Sequence, residues 1–141
     1  MSGNRFTLTI PGEPVAKGLG RIVRLGVHMG IKTPEKTRRY EDIVRQIAVR
    51  EWGAQQPLAG VPVSLIVTAF RGIAPSWSKR KQEAALRADL LPISRPDVDN
   101  YAKSALDGLL GVVLADDSLI VDLRVRKAYS AEPRLEMVLT W

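Results

Sequence analysis

Polar and apolar residues alternate from Arg5 to Ile10, with Phe6, Leu8 and Ile10 on one side, and Pro11-Gly12 closes the run. That period of two predicts a short strand. Glycines at 12, 18, 20, 26 and 30 then alternate with Lys17, Arg21, Arg24 and Lys32. Such a stretch predicts a mobile basic loop across residues 12–32, with a short hairpin around Arg21 to Val27. Thr33-Pro34 offers a hydroxyl cap followed by proline at a first helical position. Tyr40, Ile43, Val44, Ile47 and Ala48 recur at helical spacing to about Trp52, and Gly53 ends the helix.

Val61 to Phe70 alternates again (Val61, Val63, Leu65, Val67, Ala69) but carries Ile66 and Phe70 on its other side, the mark of a central strand. Pro75 breaks it, and Ser76 to Lys81 leads into a short helix ending near Leu90. A second long helix is expected over Asp97 to Leu110, with Val98, Ala102, Ala105, Leu106, Leu109 and Leu110 as its apolar face. Leu119–Tyr129 and Arg134–Trp141 alternate on either side of Ala131-Glu132-Pro133, so they read as an antiparallel hairpin. The sequence predicts an α+β fold: one domain over residues 1–141, with a small mixed sheet and two to three helices packed on it.

Composition narrows the class. No run approaches the roughly 18 apolar residues of a membrane span, the N-terminus lacks an apolar signal core, and there is no cysteine. Disulfides and thiolate zinc sites are therefore excluded, and we expect a cytosolic protein with no membrane partner and no small-molecule cofactor. The net charge of +6 is unevenly spread. Residues 1–50 hold ten Lys or Arg against four Asp or Glu, whereas residues 89–141 hold six against nine. A basic surface beside an acidic patch suits a protein that binds nucleic acid and holds a divalent cation, but charge alone does not name the partner, and a well-solvated basic protein without a specific one fits it too.

The acids gather in Arg95-Pro96-Asp97-Val98-Asp99-Asn100, continue through Lys103 and Asp107, and end in Asp116-Asp117. Pro96 disfavours helix at Arg95, which puts Asp97 and Asp99 at a loop-to-helix junction where the helix dipole favours negative charge. Carboxylate oxygens in a partly hydrated setting suit Mg²⁺, with Mn²⁺ as a substitute. Lys103 follows Asp99 by one helical turn and can neutralise charge on a phosphorane or leaving oxyanion. Asp116 or Asp117, after the Gly111 stop, could return to the pair, and three convergent carboxylates can activate water against a phosphodiester. Spacing alone fits a second reading equally well: an N-cap, an Asp99–Lys103–Asp107 ion-pair ladder and a polar turn.

Other chemistries lack parts. The one histidine, His28, falls in the glycine-rich loop and reads as a loop residue. Gly18 and Gly20 lack the third glycine of a dinucleotide fingerprint, and no Gly-Lys-Ser/Thr occurs. The tryptophans read as packing residues, with Trp77 beside Lys79, Arg80 and Lys81 as a candidate DNA contact.

Four segments carry a family resemblance: Gly12-Glu13-Pro14-Val15-Ala16-Lys17-Gly18, Thr33 to Glu41, Pro75 to Arg80, and Arg95 to Asp107 with Ala115-Asp116-Asp117-Ser118. In this order the chain resembles the RusA family of Holliday-junction resolvases, in the form often found in phages and prophages. It departs from the pattern at Leu19-Gly20-Arg21, where Arg-Pro-Arg is frequent, at Leu110-Gly111, where Asn-Gly is frequent, and at Leu119, where glutamine is common.

The resemblance implies a homodimeric, Mg²⁺-dependent endodeoxyribonuclease that resolves four-way junctions by paired, symmetric nicks in DNA recombination and repair. It implies that Asp97, Asp99 and Asp117 bind metal, that Asp116 supports them and that Lys103 is catalytic. Two-fold symmetry in a dimer suits the approximate two-fold symmetry of a four-way junction. Lys17, Arg21, Lys36, Arg38, Arg39, Lys79, Arg80 and Lys81 are expected to touch phosphates. Competing readings are a branched-DNA-binding module without catalysis and a less selective flap or branched-DNA nuclease.

Overall fold

The computed structural model describes residues 3–18, 21–32 and 34–141. Thr33, expected to cap the first helix, lies outside the described residues, as does the side chain of Arg21. The elements run β1 (Arg5–Pro11), β2 (Arg21–Leu25), β3 (His28–Lys32), α1 (Glu35–Trp52), β4 (Val63–Arg71), α2 (Lys79–Leu86), α3 (Val98–Leu109), a 3-10 turn (Asp117–Leu119), β5 (Ile120–Tyr129) and β6 (Arg134–Thr140). Three helices and a four-stranded mixed sheet make the fold α+β, as expected.

The sheet order is β1-β6-β4-β5. β4 pairs with β5 in parallel and with β6 antiparallel, so β5 and β6 flank it rather than pair with each other. This corrects the expected terminal hairpin. The short link does join the ends of β5 and β6, but it passes over the end of β4, where the Ser130 amide donates to the Arg71 carbonyl at 2.9 Å. A parallel neighbour requires a long crossover, and the segment carrying α2 and α3 supplies it. β4 is thus interior, which explains its apolar residues on both faces.

One face of the sheet carries Leu8, Ile10, Val63, Leu65, Val67, Ala69, Leu135, Met137 and Leu139, all buried, and α1 and α3 pack over it. The buried stripe of α1 is Tyr40, Val44, Ala48 and Trp52, while Ile43 is exposed. Trp52 stands edge-on to Phe6 with ring centroids 5.0 Å apart and closes one end of the core. In α3 the buried residues are Tyr101, Ala102, Ser104, Ala105, Gly108 and Leu109, whereas Val98 and Leu110 are exposed. Small residues face α1 because the helices approach closely. A Cβ on Gly108 would stand 2.3 Å from Cγ1 of Val44.

The glycine-rich stretch resolves into two parts. β2 and β3 form the expected hairpin, longer than predicted and turning at Gly26-Val27. Residues 13–18 are pinned rather than loose: the Lys17 amide donates to the Asn100 carbonyl at 3.0 Å, Ser104 Oγ donates to the Val15 carbonyl at 2.8 Å, and the Gly18 amide donates to Thr37 Oγ1 at 3.0 Å. The mobile loop expected through this part is corrected accordingly. α2 stops at Leu86 rather than near Leu90, and Ala88 turns the chain with φ at 62°.

Candidate active site

Two cations aim the chain into α3. Arg71, at the end of β4, donates to Ser94 Oγ at 3.0 Å, and Lys127 of β5 donates to the carbonyls of Ser94 and Pro96 at 2.9 and 3.1 Å. The segment before Asp97 is thereby held against the sheet. Neither residue stands out in the sequence, because their partners, the Ser94 hydroxyl and the backbone carbonyls of Ser94 and Pro96, are brought near only by the β4–β5 pairing. A cavity of about 400 Å³ lies beside this segment, reached by Glu13, Lys36, Arg71, Pro96 and Tyr101. Glu13 accepts from the Gly72 amide at 3.0 Å, which ties the N-terminal segment to the end of β4.

Asp97 occupies the N-cap of α3, yet its side chain makes no capping hydrogen bond. Asp99 is exposed in the first turn, and its ion-pair partner among the described residues is Lys103, at 4.0 Å. Two carboxylates are thus left free at the positive end of a helix dipole, with an exposed ammonium one turn on. Mg²⁺ takes hard oxygen donors and keeps much of its water, so this donor pair fits it.

Asp116 and Asp117 differ sharply. Asp116 Oδ1 accepts from the Ser118 amide at 2.9 Å, capping the 3-10 turn, and that hydrogen bond holds its carboxyl below the usual range. The Asp117 carboxyl is free of such a bond. Partial burial pushes its pKa up first, and the charges of Asp107 and Asp116 push it further. Among the described residues no three acidic or histidine side chains are grouped closely enough to hold a metal ion, so Asp117 is not gathered with Asp97 and Asp99.

A separate ionic group lies between α1 and α3. The Lys17 ammonium donates to Asp107 Oδ2 and sits 3.5 Å from Glu41 Oε1. The bond to Asp107 chiefly raises the Lys17 pKa. Burial holds Glu41 above the usual carboxylate range despite the nearby ammonium, and Asp107 adds to the effect. Lys17, expected at a phosphate, is therefore engaged by the protein itself. Asp107 pairs with it rather than with Lys103, so the Asp99–Lys103–Asp107 ladder of the alternative reading stops at its first rung.

The remaining cations are on the surface. Lys36, Arg38 and Arg39 are exposed along the start of α1, and Arg39 pairs with Glu35 at 2.6 Å. Lys79, Arg80 and Lys81 open α2 and are exposed. Lys81 stands 4.0 Å over the Trp77 ring, which in turn meets Tyr129 edge-on at 5.2 Å. Trp77 is thus a packing residue with one face under a cation.

The model of the endodeoxyribonuclease RusA family matches residues 11–140 of the chain. A relative in Bacillus subtilis (strain 168), an uncharacterized protein named YqaN, is 39% identical over 135 residues, covering 93% of this chain and 92% of its own. The chain belongs to the RusA family of Holliday-junction endodeoxyribonucleases. No described helix is long and apolar enough to cross a membrane.

Proposed function

We propose that this protein is a Mg²⁺-dependent resolvase that binds four-way DNA junctions as a homodimer and cuts them by paired, symmetric nicks. The observation that carries the reading is the pair of free carboxylates, Asp97 and Asp99, at the start of α3 with Lys103 one turn on. Asp97 and Asp99 would hold the divalent cation, with Mn²⁺ as a substitute; Asp117, which the fold of one chain does not gather with them, is the third ligand that the family resemblance adds, with Asp116 supporting it through the turn it caps. Bound there, the cation supplies positive charge against the scissile phosphate and acidifies water for in-line attack.

The protein's own groups do the rest. Lys103 carries its ammonium on the same helical face as Asp99 and stabilises negative charge as it develops on phosphate oxygens. Lys36, Arg38, Arg39, Lys79, Arg80 and Lys81 supply the sequence-independent grip on the backbone, with Arg21 from the hairpin. Arg71 and Lys127 act on the site indirectly, by holding the segment that delivers Asp97.

The decisive experiment uses a labelled four-way junction with wild type and Asp99→Asn, in Mg²⁺ and in EDTA. Wild type cuts opposed strands in Mg²⁺ alone, and Asp99→Asn binds the junction without cutting it. Wild-type nicking by Asp99→Asn would refute the metal site, and unpaired cuts in Y-shaped or duplex DNA would replace the resolvase with a general branched-DNA nuclease.

A further inference from the structure

β5 is an edge strand: it pairs with β4 and with no other strand among the described residues. At its C-terminal end, Lys127 is covered by the Ser94–Pro96 segment and Tyr129 by Trp77. Its first half is open. Val121 and Leu123 are 69% and 44% exposed, and Asp122 and Arg124 are exposed as well. An open edge displaying apolar side chains is a template for another strand unless something covers it.

The apolar character continues past the strand. A groove of about 440 Å³ runs between β5 and α3, lined by Val98, Ala102, Leu106, Leu123 and Val125, with Asp99 and Lys103 on its α3 wall. Val98 is 41% exposed there, although it opens an amphipathic helix. The edge and the groove form one continuous surface that the chain itself leaves uncovered.

The charge pattern names the occupant. A two-fold axis perpendicular to the sheet pairs β5 with β5 of a second copy antiparallel and keeps every side chain on its own face. Each residue then meets one an even number of positions away. If the axis passes between the two copies of Leu123, Asp122 of each copy faces Arg124 of the other, and the two leucines meet on the groove side. Centring on Asp122 instead sets aspartate against aspartate, and centring on Arg124 sets arginine against arginine. Like charges directly opposite are destabilising, so of these three registers only the one centred on Leu123 is self-complementary. Regular pairing begins at Asp122, because the β4–β5 register shifts between Val63 and Ser64.

We infer that the first half of β5 is the surface on which a second copy of this chain docks, antiparallel, with the two-fold axis at Leu123. The four-stranded sheets join into one, the two grooves meet, and the Asp99–Lys103 wall of each copy lies on either side of the axis. The inference deepens the homodimer reading and rests on it, but it is independent of whether the site cuts DNA.

The chain contains no cysteine, which makes the axis directly testable. Leu123→Cys should form a disulfide-linked dimer on mild oxidation, whereas Val27→Cys, exposed on the distant hairpin, should not. Asp122→Arg and Arg124→Asp should each weaken the dimer at least about tenfold in sedimentation, since two attractive cross-strand pairs become repulsive. The double exchange Asp122→Arg with Arg124→Asp should restore it. A wild-type chain that sediments as a monomer at every concentration, or a dimer indifferent to both single exchanges and to Leu123→Cys, overturns the proposal. Failure of the nuclease reading shows instead as a correctly crosslinked dimer that leaves junctions intact in Mg²⁺.

Discussion

Lys17 reaches 90 positions along the chain to donate to the carboxylate of Asp107. This ion pair ties the basic N-terminal segment to α3, the helix that follows Asp97. Glu41 of α1 stands at 3.5 Å on its other side, so one ammonium joins three parts of the fold. The bonds from the Lys17 amide to the Asn100 carbonyl and from the Ser104 hydroxyl to the Val15 carbonyl tie the same segments together.

Lys17→Met should therefore destabilise the fold by about 1–3 kcal/mol at neutral pH, since it leaves Asp107 and Glu41 without their shared cation. The folded pKa of Lys17 is raised, so the stabilisation is complete below the unfolded value of about 10.4 and is lost as pH climbs through the folded one. Urea unfolding of both proteins between neutral and strongly alkaline pH checks this. The gap between them should be constant at first and close at the alkaline end.

Gly108→Ala should cost about 1–3 kcal/mol, because the new methyl collides with Val44 at the α1–α3 crossing. Adding Val44→Ala should recover part of the loss. Thermal midpoints of the single and double variants decide it.

Asp117→Asn should abolish cleavage while sparing junction affinity. Asp116→Ala should lower activity less, because Asp116 caps the turn through the Ser118 amide rather than offering a free carboxylate. Single-turnover cleavage of a saturated junction separates the two, and equal losses would argue against the division of roles.

Lys103→Met should slow the chemical step roughly a hundred- to a thousand-fold with binding retained, the range expected for losing one group that stabilises developing charge. Comparing the cleavage rate at saturation with junction affinity tests it.

Replacing Lys36, Arg38 or one of Lys79 to Lys81 by alanine should lower the slope of log affinity against log salt by roughly 1 for each phosphate no longer neutralised. Lys17→Met should leave that slope unchanged, because its ammonium is already held by Asp107 and Glu41. Affinity titrations over a range of salt concentrations measure both.

Much of this is legible in the chain. The helical spacing from Tyr40 to Trp52, the two-sided apolar run of β4 and the start of α3 after Pro96 are local patterns, and each element forms where it is expected. Boundaries and faces are less legible. Ile43 and Val98 fit the helical period but are exposed, because the burying surface is set by which helix lies opposite, and Gly108 brings α1 close on the other flank. The pairing of β5 and β6 departs from expectation for a similar reason. A short link between two alternating segments is the local signal of a hairpin, yet here the link crosses the end of an interior strand.

By itself the sequence determined the α+β class, the RusA-family membership, the basic-and-acidic division of the chain and the carboxylates at the head of α3. These rest on periodicity, charge and motif, all of which act between near neighbours. Only the tertiary structure decided that β4 separates β5 from β6, that Lys17 is held by Asp107 and Glu41, and that the first half of β5 remains an open edge. Each of these depends on contacts between segments far apart in the chain, where alternation says which face is apolar but not which partner will cover it.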